Sequence, residues 1–138
     1  MHSIDIDEAK ELRTYLQKIK VSNRVNILNS YEKFYKTYAK NYLTTRLEKY
    51  SKIMGLSYSE IRFRKMRSRW GSCSSKGTIT LNTELIKINK ELIDYIIVHE
   101  LAHLTHMNHS QKFHDLVDVY ISNSKELKKK LKTVNLLQ

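Results

Sequence analysis

Five of the chain's six histidines, His99, His103, His106, His109 and His114, fall within sixteen residues. The first two frame the segment His99-Glu100-Leu101-Ala102-His103. Histidines four apart on a helix project from one face, one turn apart, so both imidazoles can reach a single cation while Glu100 lies beside them, rotated aside. Catalytic zinc takes three protein ligands and leaves a position for water, and a helical H-E-x-x-H supplies two of those ligands and a general base. The chemistry such a set performs is hydrolysis by an activated water. By composition alone, H-E-x-x-H arises by chance in roughly 1–2% of chains like this one.

The third ligand has to come from outside the regular helix. On a straight helix His109 would lie about 15 Å along the axis from His99, far beyond a metal bond of about 2 Å. His109 therefore requires a reversal of the chain, for which Asn108, tolerant of the left-handed conformation at a helix end, is the expected break. His106 is the alternative; it shares the helix face but lies one turn past the ion. On reach, His109 is preferred.

Glu100 adjoins the first ligand on an otherwise apolar helix, where loss of hydration has to be offset by a task, that of general base. His114 reads as a surface residue or a support for the ligands, and His2 carries no assigned role. Cys73 is a weaker candidate for thiolate nucleophile or ligand, because its neighbours do not form a nucleophile-plus-base set. Trp70 suits either the core or a substrate wall. Tyr58, Tyr95 and Tyr120 are candidates for steadying an oxyanion.

The elements that must position these groups follow from periodicity. There is no proline, and the three glycines, Gly55, Gly71 and Gly77, confine the punctuation to the middle of the chain. A short helix is expected over 7–20. A long one runs from a Ser22 cap to Met54, with Val25, Leu28, Tyr31, Tyr35, Tyr38, Tyr42 and Leu43 at helical spacing and Gly55 as its stop. Ile61–Met66 and Thr78–Asn82 alternate as strands, and the stretch between them begins extended and turns at Lys76-Gly77. Two or three antiparallel strands are expected. A short helical segment near Glu84–Lys87 precedes a helix from Glu91 to about Met107, apolar on most of its circumference and so buried on several sides. Ser110 caps a further helix carrying Phe113, Leu116, Val117 and Tyr120, and a lysine-rich helix spans Ser124–Lys132. The expectation is an α+β fold in one domain over 1–138, with a helical part to residue 54, a core over 55–122 and a basic helix over 123–138.

The 138 residues carry 25 Lys and Arg against 14 Asp and Glu, a formal charge of +11. That balance favours polyanions, nucleic acid or nucleotide among them, or simply gives a lysine-rich wet surface. One cysteine excludes an internal disulfide. The acidic N-terminus lacks the blocks of a secretory signal, and the longest apolar run of the core helix, Tyr95–Val98, is far short of a membrane span of roughly 20 residues. A soluble, cytoplasmic protein with no membrane partner is expected.

The segments Arg64–Cys73, Ile79–Asn82, Ile93–Leu104 and Asn108–Phe113, taken together and in order, resemble the YgjP-like metallopeptidase family over roughly residues 55 to 120. That family is similar to the wider SprT-like and WLM zinc peptidases of zincin-like fold. The resemblance implies a helix packed on a small antiparallel sheet, Zn2+ held by His99, His103 and His109, and Glu100 as catalytic acid/base. It also puts Trp70, Gly71 and Ser72 at a sheet edge lining the cleft, where an extended peptide could add by main-chain hydrogen bonds. Many members carry Phe-Trp where this chain has Phe113-His114, which alters an aromatic wall of the pocket.

The leading reading is thus a zinc metallopeptidase acting on a peptide or protein substrate. The alternatives are a metal-dependent nucleoside triphosphate pyrophosphohydrolase, an activity some family members are credited with, and a polyanion-binding module with structural zinc. Arg62, Arg64, Arg67 and Arg69 would hold phosphates in the former, although no Gly-rich phosphate loop is present. Tyr31, Lys33, Tyr35, Lys36, Tyr38 and Lys40 on the long helix would serve the latter.

Overall fold

The computed structural model describes residues 10–11 and 24–134. The helix expected over 7–20 lies outside them apart from Lys10 and Glu11, which are helical, and so does the Ser22 cap. Helix α1, Arg24–Met54, buries Ala39, Leu43, Leu47 and Met54 in one stripe, shouldered by Tyr35, Tyr38, Tyr42 and Tyr50. It stops at Gly55, whose φ of +65° only glycine adopts cheaply. There the amides of Gly55 and Leu56 close back on the carbonyls of Lys52 and Ser51 at 3.2 and 3.0 Å, the two bonds of a Schellman end.

Three short strands follow: β1 (Glu60–Arg64), β2 (Gly71–Cys73) and β3 (Thr78–Asn82), in the spatial order β1-β3-β2. The sheet is mixed, which corrects the all-antiparallel expectation. β2 pairs antiparallel with β3 across the hairpin closed at Gly77, whereas β1 pairs parallel with β3, Ile61 opposite Ile79 and Phe63 opposite Leu81. The reason is geometric: the chain reverses twice between β1 and β3, so the two run the same way. β3 takes the centre because Ile79 and Leu81 are its fully buried pair, which leaves β2 at an edge.

Asn82, at the end of β3, is fully buried and ties the loop before β2 in place. Its Nδ2 donates to the carbonyls of Met66 and Arg69, both at 2.8 Å, its backbone amide donates to the Trp70 carbonyl at 2.9 Å, and its Oδ1 accepts from the Glu84 amide at 3.0 Å. The last bond caps a 3₁₀ turn over Thr83–Lys87.

Helix α2, Lys90–Ala102, is capped by Asn89, whose side chain accepts from the Glu91 amide. It buries residues on every side and touches α1, β2, α3 and α4. Asp94 fastens it to α1 by two bonds from Arg46, at 2.9 and 2.7 Å. The remaining helices are α3 (Gln111–Tyr120), capped by Ser110 as expected, and α4 (Ser124–Lys132). Among the described residues no helix is long and apolar enough to cross a membrane.

Replacing Asn82 by Ala should cost about 2–4 kcal/mol in chemical denaturation, because it strips partners from the Met66 and Arg69 carbonyls and from the Glu84 amide. Trp70 emission should shift in the folded state, since the loop carrying it loses its tether.

Candidate metal centre

α2 ends sooner than its apolar pattern suggests, at Ala102 rather than near Met107. The amides of Leu104 and Thr105 bond three residues back and that of His106 bonds Ala102, a tightening that turns the chain over 103–105. No non-glycine residue among those described has a positive φ, so the left-handed break expected at Asn108 does not occur. The reversal is spread from His103 to the Ser110 cap and needs no strained residue.

This return brings His109 back to the helix. Donor nitrogens of His99, His103 and His109 lie within 4.8 Å of one another, close enough to hold one ion. The ring of His106 stays out of the cluster, but its carbonyl oxygen lies 3.0 Å from Nδ1 of His103. A carbonyl only accepts, so Nδ1 carries the proton and Nε2 keeps its lone pair for a cation. Partial burial first, then the His99 and His103 rings, hold the His109 imidazole below its ordinary range, which favours the neutral ligand form. The cluster also sits at the C-terminal end of α2, where exposed carbonyl dipoles favour a cation.

Phe113, expected on the helix after Ser110 and, with His114, at an aromatic wall of the pocket, has a closer part in the site. Its ring, 1% exposed, lies 4.9, 4.5 and 5.0 Å from the centroids of His99, His103 and His109, so one aromatic side chain from α3 underlies all three imidazoles. Its place three residues after the Ser110 cap and the family resemblance both pointed to it, but not to its contact with all three rings. His114, beside it, is exposed and stacks 6.4 Å from His109.

Glu100 is 6% exposed, with Oε2 3.3 Å from Nδ1 of His99. β2 crosses directly over it. A Cβ placed on Gly71 would stand 3.1 Å from Glu100 Cγ and 3.3 Å from both Glu100 Oε2 and the Thr80 carbonyl, so the bare glycine backbone is what lets strand and carboxylate approach. Gly71 and Trp70 line a cleft of about 380 Å³ that contains Glu100 and His99. Ser72, next along the strand, points to the other face by alternation and does not line it. Cys73 stays a protonated thiol: burial first and the Glu100 carboxylate second push it up to about 11, which argues against a thiolate nucleophile or ligand.

Of the three candidate tyrosines, Tyr95 lines this cleft and meets His99 edge-on at 6.0 Å, while Tyr58 and Tyr120 pack elsewhere against the core. Burial chiefly, with Asp118 and Glu100 adding to it, raises its phenol above the usual range and keeps the O–H a donor. The four arginines do not converge. Arg62, bonded to Glu60, and Arg64 stand on β1, the sheet edge opposite β2, and of the four only Arg69 lines the cleft. Among the aromatic residues of α1, Tyr35, Tyr38 and Tyr42 pack against the core.

With this geometry in place, comparison with known proteins is decisive. A family model described as YgjP-like, metallopeptidase domain, matches residues 3–134. The chain belongs to the YgjP-like metallopeptidase family. It is also similar to the metallopeptidase zymogen abylysin of Pyrococcus abyssi, at 30% identity and a TM-score of 0.60, over 66% of this chain and 92% of that one. Jannalysin of Methanocaldococcus jannaschii, another metallopeptidase zymogen, matches at 26% identity and a TM-score of 0.57, over 64% and 92%. No curated protein sequence matches. Membership in this family makes the chain a metallohydrolase, and its three clustered histidines are positioned to bind a metal ion.

Substituting Gly71 by Ala should push the Glu100 carboxylate aside by a few tenths of an ångström and loosen its contact with His99, while the three imidazoles stay within reach of one ion. Metal affinity should persist while kcat falls by roughly tenfold or more, given how steeply proton transfer depends on position. Equal losses of metal and activity would contradict this placement.

Proposed function

We propose that this family member is a zinc-dependent peptidase in which His99, His103 and His109 hold the ion and Glu100 is the general base. The observation that carries the reading is the meeting of three imidazoles with a buried carboxylate under an edge strand. Three neutral nitrogens suit zinc, and such a set leaves room for water and substrate. When bound, zinc supplies Lewis acidity, polarising a carbonyl and bringing the pKa of water towards about 7.

The chain's own residues do the rest. Glu100, whose carboxylate lies beside His99, takes a proton from the attacking water and returns it to the leaving amine. Phe113 keeps the imidazoles facing one another. Tyr95, as a neutral donor in the cleft, is placed to steady charge on the attacked carbonyl oxygen. β2 offers a sheet edge beside Glu100 to which an extended substrate can add, with Trp70 as an adjoining wall.

The Glu100→Gln variant should bind zinc in equal stoichiometry yet hydrolyse an unfolded polypeptide 10²–10⁴-fold more slowly, on the order expected for removing a general base. His109→Ala should lose zinc and His106→Ala should keep it, measured by metal content after dialysis. Zinc lost from the His106 variant but not from the His109 variant would overturn the ligand set. Pyrophosphate release from nucleoside triphosphates that depended on Glu100, with no new peptide fragments, would replace the peptidase reading.

A further inference from the structure

The lysine-rich helix α4 turns one face to the cleft that holds Glu100 and His99. Lys128, Leu131 and Lys132 lie across the Glu100 cleft from Arg69, Trp70 and Gly71. A second lobe of about 320 Å³ continues past His99 and is lined by Lys125, Lys128 and Asp118 among others. Tyr95, His99 and Lys128 border both lobes, so Lys128 stands where they join. Residues 125, 128 and 132 share one helical face, while Leu127, 2% exposed, anchors the opposite side in the core.

The charges of this cleft are unbalanced. In the first lobe Arg69, Lys128 and Lys132 face a single carboxylate, that of Glu100; in the second Lys125 and Lys128 face Asp118, which already accepts from the Ser124 hydroxyl. None of these four cations has an ion-pair partner among the described residues. Unpaired like charges lining a concave surface focus a positive field into it and raise the local concentration of anionic ligands.

Resting on the peptidase reading, we infer that the substrate is a polypeptide carrying acidic side chains next to the cleaved bond, which Lys128 and Lys132 of α4 and Arg69 before β2 recognise. A peptide is the occupant that also uses the free edge of β2 bordering the same lobe; a polyphosphate has no main chain to add there. Lys128, shared by both lobes, meets acidic residues on either side of the bond. The remaining lysines of the helix, Lys129 and Lys130, are exposed like the others but do not line the cleft.

The test uses the zinc-loaded Glu100→Gln protein and two peptides of equal length and identical uncharged centre, one flanked by Glu and one by Lys. Trp70, the only tryptophan, reports binding. The Glu-flanked peptide should bind roughly tenfold more tightly, about 1.4 kcal/mol. The advantage should shrink between about 0.1 and 1 M salt, as the screening length drops from roughly 10 to 3 Å. Lys128→Glu with Lys132→Glu should reverse the preference, and Lys129→Glu with Lys130→Glu, an equal change of net charge, should not.

Equal binding of the two peptides, or equal effects of the two double variants, would overturn the proposal. So would tighter binding of inorganic triphosphate than of the Glu-flanked peptide. In parallel, the chain with Glu100 intact should cleave the Glu-flanked peptide faster. Equal cleavage of both peptides would sink the acidic preference and leave the peptidase standing, whereas binding with no cleavage of either would sink the peptidase reading and this substrate class with it.

Discussion

A carboxylate carried on a mostly apolar helix, one residue from a histidine that faces a cation site, constrains most of what surrounds it. Left without partners, the buried Glu100 would cost several kcal/mol in lost hydration. The surroundings answer that cost in two ways: the His99 ring lies at hydrogen-bonding range, and β2 comes down so closely that a Cβ at residue 71 would crowd the carboxylate. The carboxylate is thereby shielded and aimed. Its shielding also explains the neighbouring thiol, since the same low-polarity space keeps Cys73 protonated.

Hydrogen bonds add to the packing of Trp70 and Cys73 against the core in holding β2 in that position. A three-residue strand at a sheet edge has little area to bury, and the loop leading into it is rich in charged residues that prefer water. Asn82 supplies what burial cannot. Its side chain gathers two loop carbonyls and caps the next turn, coupling the end of β3 to the roof over Glu100. The Arg46 pair on Asp94 does a comparable service on the other side, fixing the rotation of α2 about its axis five residues before His99.

The gathering of the three histidines then depends on how α2 ends. Two imidazoles a turn apart leave an ion open on most sides, and the third has to arrive from chain that has left the helix. Tightening at residues 103–105 turns the backbone, and the His106 carbonyl fixes the His103 tautomer. Phe113, entering from α3, fills the space beneath the three rings. The lysine face of α4 borders the cleft beside His99 and Glu100, so one short basic helix contributes both to the core, through Leu127, and to the charge lining the cleft.

Much of this was written locally. The spacing His99–His103 with Glu100 between, the cap at Ser110 and the stop at Gly55 all concern neighbours within one or two turns, where sequence distance and spatial distance agree, while the reach argument for His109 needed only the rise of a helix to show that the chain must turn back. The α+β class followed from periodicity in the same way. Contacts between residues far apart in sequence were not legible. The parallel pairing of β1 with β3 depends on which strand takes the sheet centre, and the approach of Gly71 to Glu100 depends on packing across 29 positions. The separation of Arg62 from Arg69 and the turn of Lys128 towards His99 were decided likewise, because a surface charge pattern fits any helix face until the core chooses which face is buried. The sequence by itself determined that two imidazoles and a carboxylate share one stretch of helix, since side-chain spacing on a helix is fixed by the backbone; only the tertiary structure decided which groups meet them, His109 included, since that is set by how the chain turns and which apolar surfaces meet.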